Sequence, residues 1–181
     1  SVSTDCKIIA KVAIKYGAKV DFKRPKKISD DKTKTIDVIN HAINFYNKDF
    51  ERFKYTCCLY PASPFIDHKN IIEAYNALKN SKCDMVFTAQ EFPSPIQRAI
   101  KVKNKKVSWL NKKFSKKNSN FMEKFFFDSG QFYFGSTKKF LKKDNIINKN
   151  TKIILLKKYS NIDINCMDDW YFAEKIYKIS V

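Results

Sequence analysis

The chain is 181 residues long, 44% hydrophobic and 15% aromatic, with a formal net charge of +18. That length suits a single domain, 1–181, and that apolar content excludes an intrinsically disordered chain. No apolar run approaches the roughly 18 residues that a membrane span needs. The opening residues SVSTDCKIIA carry no signal-peptide pattern. The five cysteines, odd in number and without a CxxC, read as reduced thiols of a cytoplasmic protein, not as a disulfide frame or a zinc site.

In chain order, Val2-Ser3-Thr4 reads as the end of a strand running into a helix. Ser3 or Thr4 is the candidate cap, and Ile8, Ile9, Val12, Ala13 and Tyr16 recur at helical spacing. Gly17 is placed to stop that helix. Lys19 to Phe22 reads as a short strand, and a second helix from about Thr35 carries Ile36, Ile39, Ile43 and Tyr46 on one face. Tyr55 to Tyr60 is a continuous apolar run of the kind that buried parallel strands show, ended by Pro61 and Pro64. A third helix uses Ile71, Ile72, Tyr75 and Leu78, and Met85 to Thr88 is the next strand. Between Ile100 and Leu110, lysines interleave a looser alternation that suggests an exposed hairpin. Gln131 to Phe134 and Ile153 to Leu156 complete the strands, and a last helix buries Trp170, Ala173 and Tyr177. Strands alternating with helices predict an α/β domain of three layers, α-β-α, with a mostly parallel sheet.

The charge alone points toward nucleic acid, but its make-up does not. Arg24, Arg52 and Arg98 are the only arginines among 36 basic residues, and groups that grip bases and phosphates favour arginine's planar fork. The three glycines, Gly17, Gly130 and Gly135, form no GxGxxG or GxxxxGK[ST] loop. The sequence opens at the end of a strand, as though a βα unit of roughly 30 residues or more preceded it.

Four segments go beyond a generic α/β reading. They are Val2-Ser3-Thr4-Asp5 with Arg24-Pro25-Lys26-Lys27-Ile28-Ser29-Asp30-Asp31 and Thr35; CCLYPASPFI from Cys57; FPSPIQRAIK from Phe92 with DSGQFYFG from Asp128; and Asn161-Ile162-Asp163-Ile164-Asn165 before Asp168-Asp169-Trp170. In this order they resemble the acylneuraminate cytidylyltransferase family, nearest to its pseudaminic acid branch, over essentially the whole chain. The resemblance implies an N-terminally truncated Rossmann-like nucleotide-diphospho-sugar transferase fold. It also implies Mg²⁺-assisted transfer of CMP from CTP to a nonulosonic acid, an acidic nine-carbon sugar, with release of pyrophosphate. Carried over, Arg24 and Thr35 contact the cytosine, Asp31 holds the turn of the same motif, and Tyr60 stands where sialic acid members have a base-binding glutamine. Gln97 and Arg98 face the sugar or the phosphate, Gln131 lines the cleft, and Asp163 with Asn165 holds the metal. The stretch 95–127 corresponds to a dimerisation arm, which implies a homodimer, with no membrane partner and nucleic acid disfavoured.

Each residue also has a plainer reading. Arg24 can be a surface arginine and Thr35 a helix cap; Gln97 and Arg98 can merely cover a hairpin; Asn165 with Asp168 resembles a helix-capping arrangement. His41 and His68 lack a partner constellation, and Cys57-Cys58 reads as core packing. Against the family pattern, the glycine-containing basic phosphate loop is absent, Asn165 replaces a metal aspartate, and Phe127 stands where the nearest branch has histidine. Two other functions stay open: an inactive relative acting as a structural or dimerising subunit, and a basic module in which Trp109, Phe114 and the lysines of 101–117 bind single-stranded nucleic acid.

Overall fold

Apolar runs without alternation suit strands buried on both faces, and Met85-Val86-Phe87 and Phe132-Tyr133-Phe134 lie on the interior strands of the sheet. The computed structural model describes residues 1–46, 53–142, 145–158 and 160–180. A four-stranded sheet has the order β1-β5-β2-β6, formed by β1 (Tyr55–Leu59), β2 (Met85–Glu91), β5 (Phe126–Ser136) and β6 (Thr151–Leu155). The interior strands β2 and β5 carry Met85, Val86, Phe87, Ala89, Phe132 and Phe134, all buried. The outer strand β1 is only half-buried despite its continuous apolar sequence. The chain divides into two compact units.

The first unit comprises Ser1–Cys58, Tyr75–Val86 and Phe134–Thr151. Its first helix, α1 (Lys7–Lys15), starts later than Ser3 or Thr4 would place it. Cys6 is the N-cap residue and makes no side-chain cap; the Thr4 hydroxyl accepts the Cys6 N–H at 3.1 Å just before the helix. Gly17, at φ +84°, ends the helix as its position predicts. The predicted stripe of α1 does not form a buried face: no residue of the helix is buried, and Ile8 and Tyr16 are 74% and 81% exposed. Periodicity makes a helix amphipathic, but burial needs a neighbouring surface.

The strands expected at 2–4 and 19–22 are reduced to one parallel bridge, Thr4 with Lys23, supported by Val2 N–H on the Lys19 carbonyl and Arg24 N–H on the Thr4 carbonyl. Phe22 is buried there, its ring against His41 and Phe45. Both of those residues lie on α2 (Thr35–Tyr46), whose buried residues are Ile39, Asn40 and Ile43. Gly135 answers a close approach: a Cβ there would lie 2.8 Å from Met85 and 3.0 Å from the Asp84 carbonyl. A short helix, α4 (Thr137–Leu141), follows β5 directly, capped by the Ser136 hydroxyl, which accepts the Lys139 N–H at 3.3 Å.

The second unit comprises Leu59–Ala74, Phe87–Tyr133 and Lys152–Val181. Helix α3 (His68–Asn80) starts here and buries Ala74 and Leu78, while the predicted stripe members Ile72 and Tyr75 are exposed. The expected hairpin is present. Strands β3 (Ile100–Lys103) and β4 (Lys106–Trp109) pair antiparallel in the register Ile100 with Trp109 and Val102 with Val107. Asn104 and Lys105 take positive φ at its turn, the geometry of a two-residue hairpin loop. The last helix, α5 (Met167–Ser180), buries Ala173, whereas Trp170 and Tyr177 stay exposed, contrary to the predicted stripe. Among the described residues no helix is long and apolar enough to cross a membrane.

Candidate active site

The predicted site residues fall into three groups. In the first unit, Arg24 follows the bridge at Lys23 and is half-buried. Its Nε donates to the Ser29 hydroxyl at 3.1 Å, and its Nη2 stands 3.9 Å from the Asp5 carboxylate. The Ser29 hydroxyl in turn donates to the Pro25 carbonyl at 3.0 Å. The guanidinium is thus aimed by its own loop, more than an ordinary surface arginine requires. Beside it, Thr4, Asp5, Cys6, Asp21, Phe22 and Lys23 line a cavity of about 300 Å³.

The turn that follows is held by Asp30, not by Asp31. The Asp30 Oδ1 accepts from the Lys32 N–H, the Thr33 N–H and the Thr33 hydroxyl at 3.1, 2.8 and 2.7 Å. Those bonds, the Thr33 hydroxyl foremost, hold its carboxyl below the usual range. Asp31 itself is exposed, and Thr35 is the first residue of α2. An Asp-Asp pair at a turn does not reveal which member folds back, and the structure chooses the first.

The second group lies in the turn that leads into the β3–β4 hairpin of the second unit. Gln97 and Arg98 occupy a single 3₁₀ turn, Ile96–Arg98. The Gln97 amide donates to the Glu123 carbonyl at 2.8 Å, and the Arg98 guanidinium lies 5.6 Å from the centre of the Trp109 ring. Arg98 is exposed and Gln97 half-buried. Phe127, in the place of the expected histidine, packs on Phe92 at 5.0 Å.

The third group surrounds the middle of β5. Gly130 takes φ +66° inside the strand and makes a kink there. The Asp128 carboxylate accepts the Gly130 N–H at 2.9 Å and the Tyr133 hydroxyl. The Gly130 carbonyl accepts the Ser63 hydroxyl at 3.1 Å, and the Gln131 carbonyl accepts the Tyr60 N–H at 2.9 Å. Tyr60 also packs its ring edge-on to Tyr133 at 5.6 Å. Gln131 is 1% exposed, and its amide donates to the Ser160 carbonyl at 3.0 Å.

Asp163 is exposed, and its Oδ2 accepts the Asn165 side-chain amide at 3.0 Å. The predicted capping arrangement exists with one change: Asp169, not Asp168, accepts the N–H groups of Asn165 and Cys166, both at 2.9 Å. It is the third helical residue reaching back to the N-cap. Those bonds, Asn165 first, lower the Asp169 carboxyl below its ordinary range.

The structure therefore joins Tyr60 to Gln131 and Asp163 to Asn165, and keeps Gln97 and Arg98 on one turn. Spacing in the sequence does not single out Ser63, Asp128 and Tyr133, whose contacts become visible once β5 and its kink are in place; Asp128 two residues before a glycine is the available signal. Cys57 and Cys58 are half-buried, and desolvation pushes their thiols up to about 12 and about 11, so neither is a ready nucleophile.

Among the described residues no three His, Cys, Asp or Glu side chains converge as a metal cage. Asp163 and Asn165 supply one carboxylate and one carboxamide on an exposed loop, with the Asn165 amide N–H donating to the Asp163 Oδ2 at 3.0 Å. By donor chemistry, the free carboxylate oxygen and the amide oxygen are hard donors of the kind that suit a hard cation.

Comparison with known proteins identifies the family. A cytidylyltransferase family model matches residues 1–163. The pseudaminic acid cytidylyltransferase of Campylobacter jejuni is 33% identical over 99% of this chain and 78% of its own length. The CMP-N,N'-diacetyllegionaminic acid synthase of Legionella pneumophila is 29% identical over the same shares of the two chains. The solved 4-diphosphocytidyl-2C-methyl-D-erythritol synthase of Anaerococcus prevotii covers 94% of this chain and 76% of its own, with a TM-score of 0.54 at 14% identity, and shares its α/β fold. The chain belongs to the cytidylyltransferase family.

Proposed function

We propose that the protein transfers CMP from CTP to a nonulosonic acid of the pseudaminic or legionaminic type. The observation that carries this reading is the match of the cytidylyltransferase family model to residues 1–163, with 33% identity to a pseudaminic acid cytidylyltransferase over 99% of the chain. In the reaction, the anomeric hydroxyl oxygen of the sugar forms a bond to the α-phosphorus while the bond from that phosphorus to the bridging oxygen breaks. Pyrophosphate leaves with the bonding pair, and the hydroxyl proton passes to solvent or to a carboxylate. Such a displacement depends on positioning and charge neutralisation.

Asp163 and Asn165 are the residues that would hold Mg²⁺, which when bound offsets charge on the phosphate oxygens. Arg98, exposed and stacked on Trp109, suits the sugar carboxylate or the nucleotide phosphate through its planar fork. Gln97 shares its turn. Arg24, oriented by Ser29, serves the cytosine with Thr35, while Asp31 flanks that motif; Tyr60 contributes its backbone and ring, and Gln131 supports the site from within β5. The stretch 95–127 serves as the arm of a homodimer.

The test is product formation with CTP, Mg²⁺ and pseudaminic or legionaminic acid, read by mass spectrometry. CMP-sugar formed by the wild-type chain and lost in Asp163→Ala is the expected result. A folded wild-type chain that binds CTP and forms no product with either sugar defeats the reading.

A further inference from the structure

Gln131 of β5 donates its amide to the Ser160 carbonyl at 3.0 Å, and Asn161, the next residue of that loop, donates its own amide back to the Ser129 carbonyl at 2.9 Å. Two carboxamides thus tie one strand to one loop in opposite directions, each N–H on the other element's backbone. The strand end of this pair is fixed from below: the Ser129 hydroxyl, in a residue 3% exposed, bonds the Thr88 carbonyl at 2.9 Å and the Thr88 hydroxyl at 2.6 Å. The loop end continues through buried Ile162 to Ile164, whose N–H donates to the Ala62 carbonyl at 3.0 Å. Asp163 lies between those two anchored residues and is itself exposed.

We propose that Asn161 is a positioning residue for Asp163, acting with Gln131 as a reciprocal clamp that fixes where the carboxylate is presented to a metal–nucleotide. The inference rests on the proposed role of Asp163 as metal ligand. Both amides spend their N–H groups on backbone carbonyls, while the Gln131 Oε1 and Asn161 Oδ1 are buried without a protein donor among the described residues. The pair is therefore specified by its donors, and Gln131→Met keeps the side chain's length while removing its donor. Outer-shell groups that orient a metal ligand typically alter metal affinity or activity by about 10–100-fold.

The test uses the full chain with CTP and Mn²⁺ as the probe metal, free Mn²⁺ being read by electron paramagnetic resonance and backbone exchange by mass spectrometry. Asn161→Ala and, independently, Gln131→Met are expected to raise hydrogen exchange across residues 160–165 and to weaken Mn²⁺ binding about tenfold, with a cooperative melt retained. Asp163→Ala is expected to abolish the same binding. If Asn161→Ala does not fold, Gln131→Met alone decides between the outcomes. Mn²⁺ binding lost in Asp163→Ala but unchanged in both clamp variants overturns the positioning role and leaves the cytidylyltransferase reading in place. Mn²⁺ binding unaffected by Asp163→Ala removes the metal role of Asp163 and the clamp's purpose with it.

Discussion

The β3–β4 hairpin and strand β5 both read as strands, yet they are built on different terms. In β5, Phe132 is 1% exposed and the kink at Gly130 is held by Asp128 and Ser63. In the hairpin, every residue of β3 is exposed, as are Val107 and Ser108 of β4. Where the backbone must take positive φ, β5 uses a glycine and the hairpin uses Asn104 and Lys105. One strand is stabilised by burial and by bonds from other segments, the other by its own ladder and turn. A two-stranded hairpin on its own is marginal in water, so its stability depends on the turn and on contacts such as Arg98 with Trp109.

The comparison can be tested by substitution. Phe132→Ala should destabilise the fold by about 3–5 kcal/mol, read by chemical denaturation, because a buried ring is removed and a cavity remains. A loss below ~1 kcal/mol would show that β5 is not core. Gly130→Ala should cost roughly 1–2 kcal/mol, since a side chain at φ +66° crowds the carbonyl; an unchanged denaturation midpoint would remove the kink argument. In the hairpin the sign reverses: Lys105→Gly should slow amide exchange at Lys101 and Ser108, a hydrogen-bonded pair of the ladder, by stabilising the turn by up to about 1 kcal/mol. Trp109→Ala should cost about 0.5–1 kcal/mol through the lost contact with Arg98, and a larger global loss would mean that the arm belongs to the core.

The smallest expected effect concerns Asp169. Its folded pKa is depressed, so it stabilises the fold above the ordinary carboxylate range, and that contribution disappears as pH falls through the depressed value. Stability of wild type and Asp169→Asn, compared from pH 7 downward, should therefore converge in acid; a constant gap would show that the charge plays no part. For the alternative of nucleic-acid binding by the arm, affinity would fall by roughly 0.7 log units per log unit of salt for each phosphate neutralised, and a salt-independent result excludes it.

Much of this molecule was set by local sequence. The alternation of apolar runs and helical stripes defined the α/β class, the hairpin and Gly17 as a helix stop, because backbone preference and amphipathicity act within a few residues. The order of the four motifs carried the family. What tertiary structure alone decided was burial and choice of partner. The α1 stripe is exposed although its period is clear, Asp30 rather than Asp31 closes its turn, and Asp169 rather than Asp168 caps α5. Asn161 meets Ser129, 32 positions away, and Gln131 meets Ser160, 29 positions away. No period or spacing encodes such pairs, because a hydrogen bond between distant segments exists only once the sheet has placed its two ends within about 3 Å.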